Sequence, residues 1–165
     1  MAQLTDDCFA FGGELMPAAE ALARLSQTTD IVATPREMSL LQAHGRILAR
    51  DVLSARDVPP HDNAAVDGWA VFFDDLNPDR ETRLPWSERI PAGRPLGHAA
   101  RRGVAVRIFT GAPMPAGEGG APGPDTVLMQ EDCREHDGVV VIPPGIKQGA
   151  NRRFAGEDVK NNAVI

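Results

Sequence analysis

Asp57-Val58-Pro59-Pro60-His61-Asp62-Asn63-Ala64-Ala65-Val66-Asp67-Gly68-Trp69-Ala70 reads as a rigid lead-in, a small-residue turn and a strand entered through a glycine. Each proline pushes the residue before it out of the helical region, so the approach is extended. Asp62, Asn63 and Asp67 then follow closely, with only Ala and Val between them. Gly68 permits tight backbone where Asp67 hands over to the apolar run Trp69-Ala70-Val71-Phe72-Phe73. A carboxylate displayed there, with structure on both sides, suits contact with a ligand. A second reading has Asp62 and Asn63 capping a helical turn and Asp67 satisfying loop amides. The segment alone leaves both open.

Composition sets the outer bounds. The 165 residues allow one domain or two small ones and are ample for a buried core. A formal net charge of -6 argues against nucleic acid or an anionic membrane held by bulk electrostatics, although a local basic patch can still bind phosphate. No membrane span or signal peptide is evident, and the start, Met1-Ala2-Gln3-Leu4-Thr5-Asp6-Asp7, is acidic where a leader needs basic residues. Cys8 and Cys133 have no CxxC spacing, so neither a zinc site nor a disulfide framework is suggested. The expected compartment is a reducing cytoplasm, with both thiols inert.

Residues 1–13 lack periodicity and predict a loose leader. A helix begins at Met16-Pro17, where proline suits the first turn, and Leu15, Ala18, Ala19, Leu22 and Leu25 make one apolar stripe before Gln27-Thr28-Thr29-Asp30 ends it. Short extended pieces at Ile31-Val32-Ala33 and Met38–Leu41 lead to a brief helical turn over Leu41–His44, broken by Gly45. Arg46–Ala55 alternates apolar and polar and reads as a strand, with a helix as the alternative. Asp74–Arg83 is a polar loop, Leu84–Ile90 a weak strand, and Val104–Phe109 the clearest strand. Residues 116–124, rich in Gly, Pro and Ala, form a surface loop. Thr126–Gln130 and Val139–Ile142 look like a hairpin pair turned by Asp137-Gly138. The chain stops on the apolar Ala163-Val164-Ile165, which reads as a cut end. Mostly short strands with one substantial helix predict a β-rich α+β class.

Two further places can carry chemistry. At Thr110-Gly111-Ala112-Pro113 a strand delivers a hydroxyl and then a glycine expected to have a free amide, a combination that binds phosphate or an oxyanion. The alternative is a threonine bonding its own turn. In Asn151-Arg152-Arg153-Phe154-Ala155-Gly156-Glu157-Asp158, paired arginines and paired acids around a glycine can form an anion clamp and a metal-seeking carboxylate, or simply a self-paired surface turn. His44, His61, His98 and His136 lack a recurring spacing or a nucleophile motif, and the glycines at 117, 119, 120 and 123 lack the strand–helix context of a phosphate loop. Both of those chemistries are rejected.

These sites occur in order with other strings: Gly45-Arg46-Ile47-Leu48-Ala49, Ile90-Pro91-Ala92-Gly93, Val106–Pro115 and Val127-Leu128-Met129-Gln130-Glu131-Asp132. Together they resemble, from about residue 15 onward, the N-terminal part of the MoeA/gephyrin family, the molybdopterin molybdenumtransferases. Where that family usually has DNSAMDGYA, this chain has Ala64, Val66 and Trp69 in place of Ser, Met and Tyr. Where it tends to have GQNIRRxGED, Ala150, Arg152 and Phe154 replace Gln, Ile and the second Arg, while Arg153, Gly156, Glu157 and Asp158 remain. Residues 118–123 read as an insertion.

The resemblance implies an elongated linking domain, residues 14–56 and 146–165, and a small β-domain, 57–145, inserted in it. The family's pterin-binding and C-terminal domains are absent from these residues. It implies a reaction that inserts molybdate into adenylylated molybdopterin and releases AMP, with Mg²⁺ as cofactor. It further implies a homodimer whose cleft lies between the pterin-binding domain of one subunit and these N-terminal domains of the other. Molybdopterin adenylyltransferase and molybdoenzymes are the implied partners. Asp67, Thr110 and Asp158 carry over as catalytic residues, with Asp67 and Asp158 also toward the metal. Asn63, Gly111, Arg153 and Glu157 carry over toward the cofactor. An isolated fragment is expected to be inactive. The competing function is a non-catalytic cofactor- or partner-binding module of the same family.

Overall fold

A computed structural model describes residues 16–165. The leader reading, Leu15 and Cys8 lie outside the described residues. The chain divides between Ala49 and Arg50 into two compact units. In the first, α1 (Ala18–Thr28) starts on Pro17, whose carbonyl accepts the amides of Glu20 and Ala21 at 3.0 and 3.1 Å. Glu20 and Arg24 pair one turn apart at 2.7 Å. Thr29 ends the helix, its hydroxyl donating to the Leu25 carbonyl at 2.7 Å. The expected stripe exists, but Leu22 and Leu25 stay 67% and 60% exposed. A single helical turn, α2 (Leu40–Ala43), follows, and Gly45 with φ +76° lies just beyond it. No helix among the described residues is long and apolar enough to cross a membrane.

The second unit is mostly strands: β1 (Asn63–Ala64), β2 (Gly68–Val71), β3 (Thr82–Ile90), β4 (Ala105–Ile108), β5 (Thr126–Met129), β6 (Arg134–His136), β7 (Val139–Ile142) and β8 (Arg152–Arg153). Six of them form one sheet in the order β5-β2-β4-β3-β7-β6, and β1 pairs β8 separately. The fold is β-rich α+β, as the sequence predicts. Strand β3 is the hinge of the sheet. Its first half, Thr82–Pro85, pairs antiparallel with β7, and its second half runs parallel to β4 after a register shift between Trp86 and Glu88. At nine residues it is the longest strand, not a weak one. Strand β2 is buried along its whole length because both faces are covered. Ala70, Val106, Ile108 and Val127 join one core cluster, while Trp69, Val71, Ala105 and Leu128 join the other. Period-two alternation therefore sorts two apolar sets onto two sides of one sheet.

The structure corrects two strand assignments. Arg46–Ala55 forms no strand: only Leu53 makes an isolated bridge, to Val164, and Ile47 and Leu48 are 96% and 68% exposed. Alternation without a neighbouring ladder does not make a sheet. Thr126–Gln130 and Val139–Ile142 are not a hairpin pair. Strand β5 pairs with β2, and the partner of β7 across Asp137-Gly138 is the short polar β6. The turn assignment holds, with both Asp137 and Gly138 at positive φ. Along the other margin of this unit, the end of the chain runs back over the proline segment. Ile165 N–H donates to Val52, Asn162 to Ser54, and Asp158 to Val58, all between 2.8 and 2.9 Å. The Val58–Pro59 peptide is cis.

Candidate functional site

The segment Asp62–Gly68 collects all three sequence sites around it. On one side, Ala64 N–H donates to the Ala112 carbonyl at 3.0 Å, and Gly111 N–H donates back to Ala64 at 2.9 Å. On the other, Asn63 and Ala64 pair with Arg153 and Arg152. Two glycines make this closeness possible. A Cβ on Gly68 would stand 1.7 Å from the Leu128 carbonyl oxygen of β5, so side-chain size, not φ, requires glycine there. Gly156 has φ +67°, and a Cβ on it would meet the Asp57 carboxylate at 2.9 Å.

Asp67 and Thr110 form a direct pair. Asp67 Oδ1 accepts the Thr110 backbone N–H at 2.8 Å and the Thr110 hydroxyl at 2.7 Å. The amide first, then the hydroxyl, hold the Asp67 carboxyl below its usual pKa of 3.8, with a further contribution from the charge of Arg107. Thr110 thus bonds across the fold and not within its own turn. The amide expected to be free at Gly111 is taken by Ala64, and the Thr110 proton is given to Asp67. What this corner offers a ligand is an ionised carboxylate and a hydroxyl lone pair, not a nest of donors.

The second group is Arg153, Glu157 and Asp158. Arg153 Nε donates to Glu157 Oε1 at 3.1 Å, and Arg153 also pairs with Asp158 Oδ1. These acids, Asp158 foremost, raise the Arg153 pKa. Glu157 Oε2 additionally accepts the Phe154 amide at 2.9 Å, which closes the turn. No hydrogen bond or ion pair among the described residues joins this group to Asp67. Strand pairing through β1 brings the groups to one segment, and their side chains remain separate. Asn63, 9% exposed, points its amide at the His61 carbonyl at 3.5 Å and serves the backbone of the segment.

The described residues contain no group of three or more His, Cys, Asp or Glu able to hold a metal. Asp67 and Asp158 are each held through Oδ1 and belong to no such group, so Mg²⁺ at either would need ligands beyond these residues.

Sequence reasoning passed over Arg107 and the Asp62–Arg152 pair. Arg107 donates to the Gly68 carbonyl at 3.2 Å and to the Gln130 side-chain oxygen, and the backbone N–H of Gln130 donates to the backbone carbonyl of Asp67 at 3.0 Å. A lone arginine inside the apolar run Val104–Phe109 was the available signal. Asp62 accepts the Ala155 amide at 2.8 Å and lies 3.4 Å from Arg152, whose guanidinium sits 4.4 Å from the Phe154 ring centroid. Two of the departures noted above, Arg152 and Phe154, thus contact each other.

Comparisons with known proteins identify the family. Residues 16–165 match the family described as "MoeA N-terminal region (domain I and II)". The chain is 32% identical over 145 residues to the molybdopterin molybdenumtransferase of Synechococcus elongatus, covering 86% of this chain and 34% of that protein. It is 41% identical over 136 residues to molybdopterin molybdenumtransferase 2 of Mycobacterium tuberculosis, covering 79% and 32%. A crystal structure of the molybdopterin biosynthesis moeA protein from Pyrococcus horikoshii OT3 superposes with a TM-score of 0.74 at 32% identity, over 92% of this chain and 39% of that one. The chain spans about a third of the length of the curated relatives it matches. With a family match across every described residue and relatives of up to 41% identity, this chain belongs to the MoeA N-terminal region family.

Proposed function

We propose that the chain is the N-terminal part of a molybdopterin molybdenumtransferase, whose whole protein inserts molybdate into adenylylated molybdopterin and releases AMP. One observation carries the reading: Asp67 is fixed by both donors of Thr110 at the edge of a buried strand, as a charged carboxylate with Oδ2 uncommitted among the described residues. Such a group orients a water for attack on a phosphoanhydride, with Thr110 setting the carboxylate plane. Arg153, braced by Glu157 and Asp158, holds an anionic group of the substrate. No step is assigned to Mg²⁺, which would need ligands beyond these residues. The whole protein works as a cytoplasmic homodimer, receives substrate from a molybdopterin adenylyltransferase and supplies molybdoenzymes. In it, residues 14–56 with 146–165 are the linking domain and 57–145 the inserted β-domain. Asp67→Asn in the full-length parent should lower cofactor insertion, followed by AMP release, by roughly 100-fold. Unchanged insertion would withdraw the role of Asp67.

A second reading, a non-catalytic cofactor- or partner-binding module, is favoured by one observation: the Gly111 amide, the Thr110 proton and the Asp158 carboxylate are all committed inside the fold. An Asp67→Asn parent that retains turnover yet loses cofactor affinity would select it.

A further inference from the structure

Neither reading uses the other side of Arg107. Trp69 stands opposite Arg107 across β2 and β4, and Arg107 stands opposite Arg89 across the parallel β4 and β3. This row lines a cavity of about 390 Å³, walled further by Trp86, Phe109 and Gln130. Like charges on facing strand positions are destabilising unless something offsets them. No salt bridge among the described residues involves either arginine. Glu135, which also lines the cavity, pairs with neither. Asp67 and Glu131 sense Arg107 only through space.

The Gly68 carbonyl and the Gln130 side chain each take one Arg107 donor, and aromatic faces supply the rest of the observed offset. The Arg89 guanidinium lies 4.6 Å from the Phe109 centroid, and Arg107 lies 4.9 Å from that ring and 5.0 Å from Trp69. Trp69 and Trp86 meet edge to face at 5.1 Å. The indole N–H of Trp86 is enclosed and has no acceptor among the described residues, so the wall carries an unmet donor beside two arginines without a carboxylate partner.

We propose that this cavity binds a mononucleotide, its base against the aromatic and guanidinium planes and its phosphate on Arg89 and Arg107. Bases stack on aromatic rings and on arginine, and a phosphate accepts from the planar fork of a guanidinium. The volume falls toward the small end of ligand pockets, which run from about 300 to about 1,000 Å³ and so suits one nucleotide. The net charge of -6 disfavours a long polyanion. The inference does not depend on the role of Asp67.

Both tryptophans of the chain line this cavity, so its occupancy has an intrinsic reporter. Titrating the chain with AMP should give a saturable change in tryptophan fluorescence. Adenosine and inorganic phosphate, each carrying half of the chemistry, should bind at least about tenfold more weakly. Arg89 is exposed, so Arg89→Gln leaves the core intact, which circular dichroism checks, and it should weaken AMP by about tenfold. Arg89→Lys, which keeps the charge and loses the fork, should fall between. No saturable response to AMP, an unaltered response in Arg89→Gln, or phosphate binding as tightly as AMP would each overturn the proposal.

Discussion

Asp67 and Asp158 are acids that follow the two paired two-residue strands, β1 and β8, and they are held in opposite ways. Asp67 is gripped by neutral donors from Thr110, 43 positions away. Asp158 is gripped by a cation five positions away in its own turn. A neutral grip lowers the pKa without spending the charge, so Asp67 remains a net negative, oriented group. An ion pair cancels its charges locally, so Asp158 acts first as a brace for Arg153. The difference separates a carboxylate that tertiary structure prepares from one that its own neighbourhood satisfies.

The grip on Asp67 needs β2 and β5 to stay close, and Gly68→Ala disturbs it most severely. The new Cβ would lie 1.7 Å from Leu128 O and 2.8 Å from Leu128 C, both backbone atoms that cannot rotate aside. Separating the strands strips the row Gly68–Val71 against Met129–Thr126. A loss of about 3 kcal/mol or more is expected, read as a lower urea midpoint. Asp67 would also leave the Thr110 donors, so its titration should return toward 3.8. A variant of wild-type stability would mean that the two strands have room to part.

What the sequence made legible here, and what it did not, follows the same division. The entry of β2 through Gly68 was readable because turn chemistry and an apolar run are local signals. The grip on Asp67 was not, since nothing near residue 67 announces a donor at residue 110. The resemblance put those two residues in one cleft without saying that they bond. The 126–142 region misled for a related reason: β6 is exposed and polar, so the eye joins the two apolar runs, while the ladder takes β5 to β2. Arg46–Ala55 showed a strand's alternation and lacked the partner that only the fold supplies.

Thr110→Val sharpens the contrast with a smaller change. It removes the hydroxyl donor and keeps the amide, the larger contributor, so the Asp67 pKa should rise partway toward its ordinary value. Because the folded pKa lies below the unfolded one, Asp67 stabilises the fold above the unfolded pKa, and that contribution disappears as pH falls through the folded pKa. The variant should therefore be less stable than wild type near neutral pH, with the gap narrowing on acidification. Carboxyl NMR titration and urea unfolding near neutral and at about pH 3 read both effects. A gap that stays the same on acidification would show that Thr110 matters through packing instead.

Arg153→Gln should do least. The pairs it removes are half-exposed, where ion pairs contribute little net stability, and Glu157 Oε2 would still accept the Phe154 amide at 2.9 Å. The urea midpoint should stay within error at moderate salt. The decisive readout is the titration of Asp67 in this variant. With no side-chain link between the groups among the described residues, it should not move. A shifted Asp67 would mean that the two sites share one electrostatic field, and the separation drawn between them would fail.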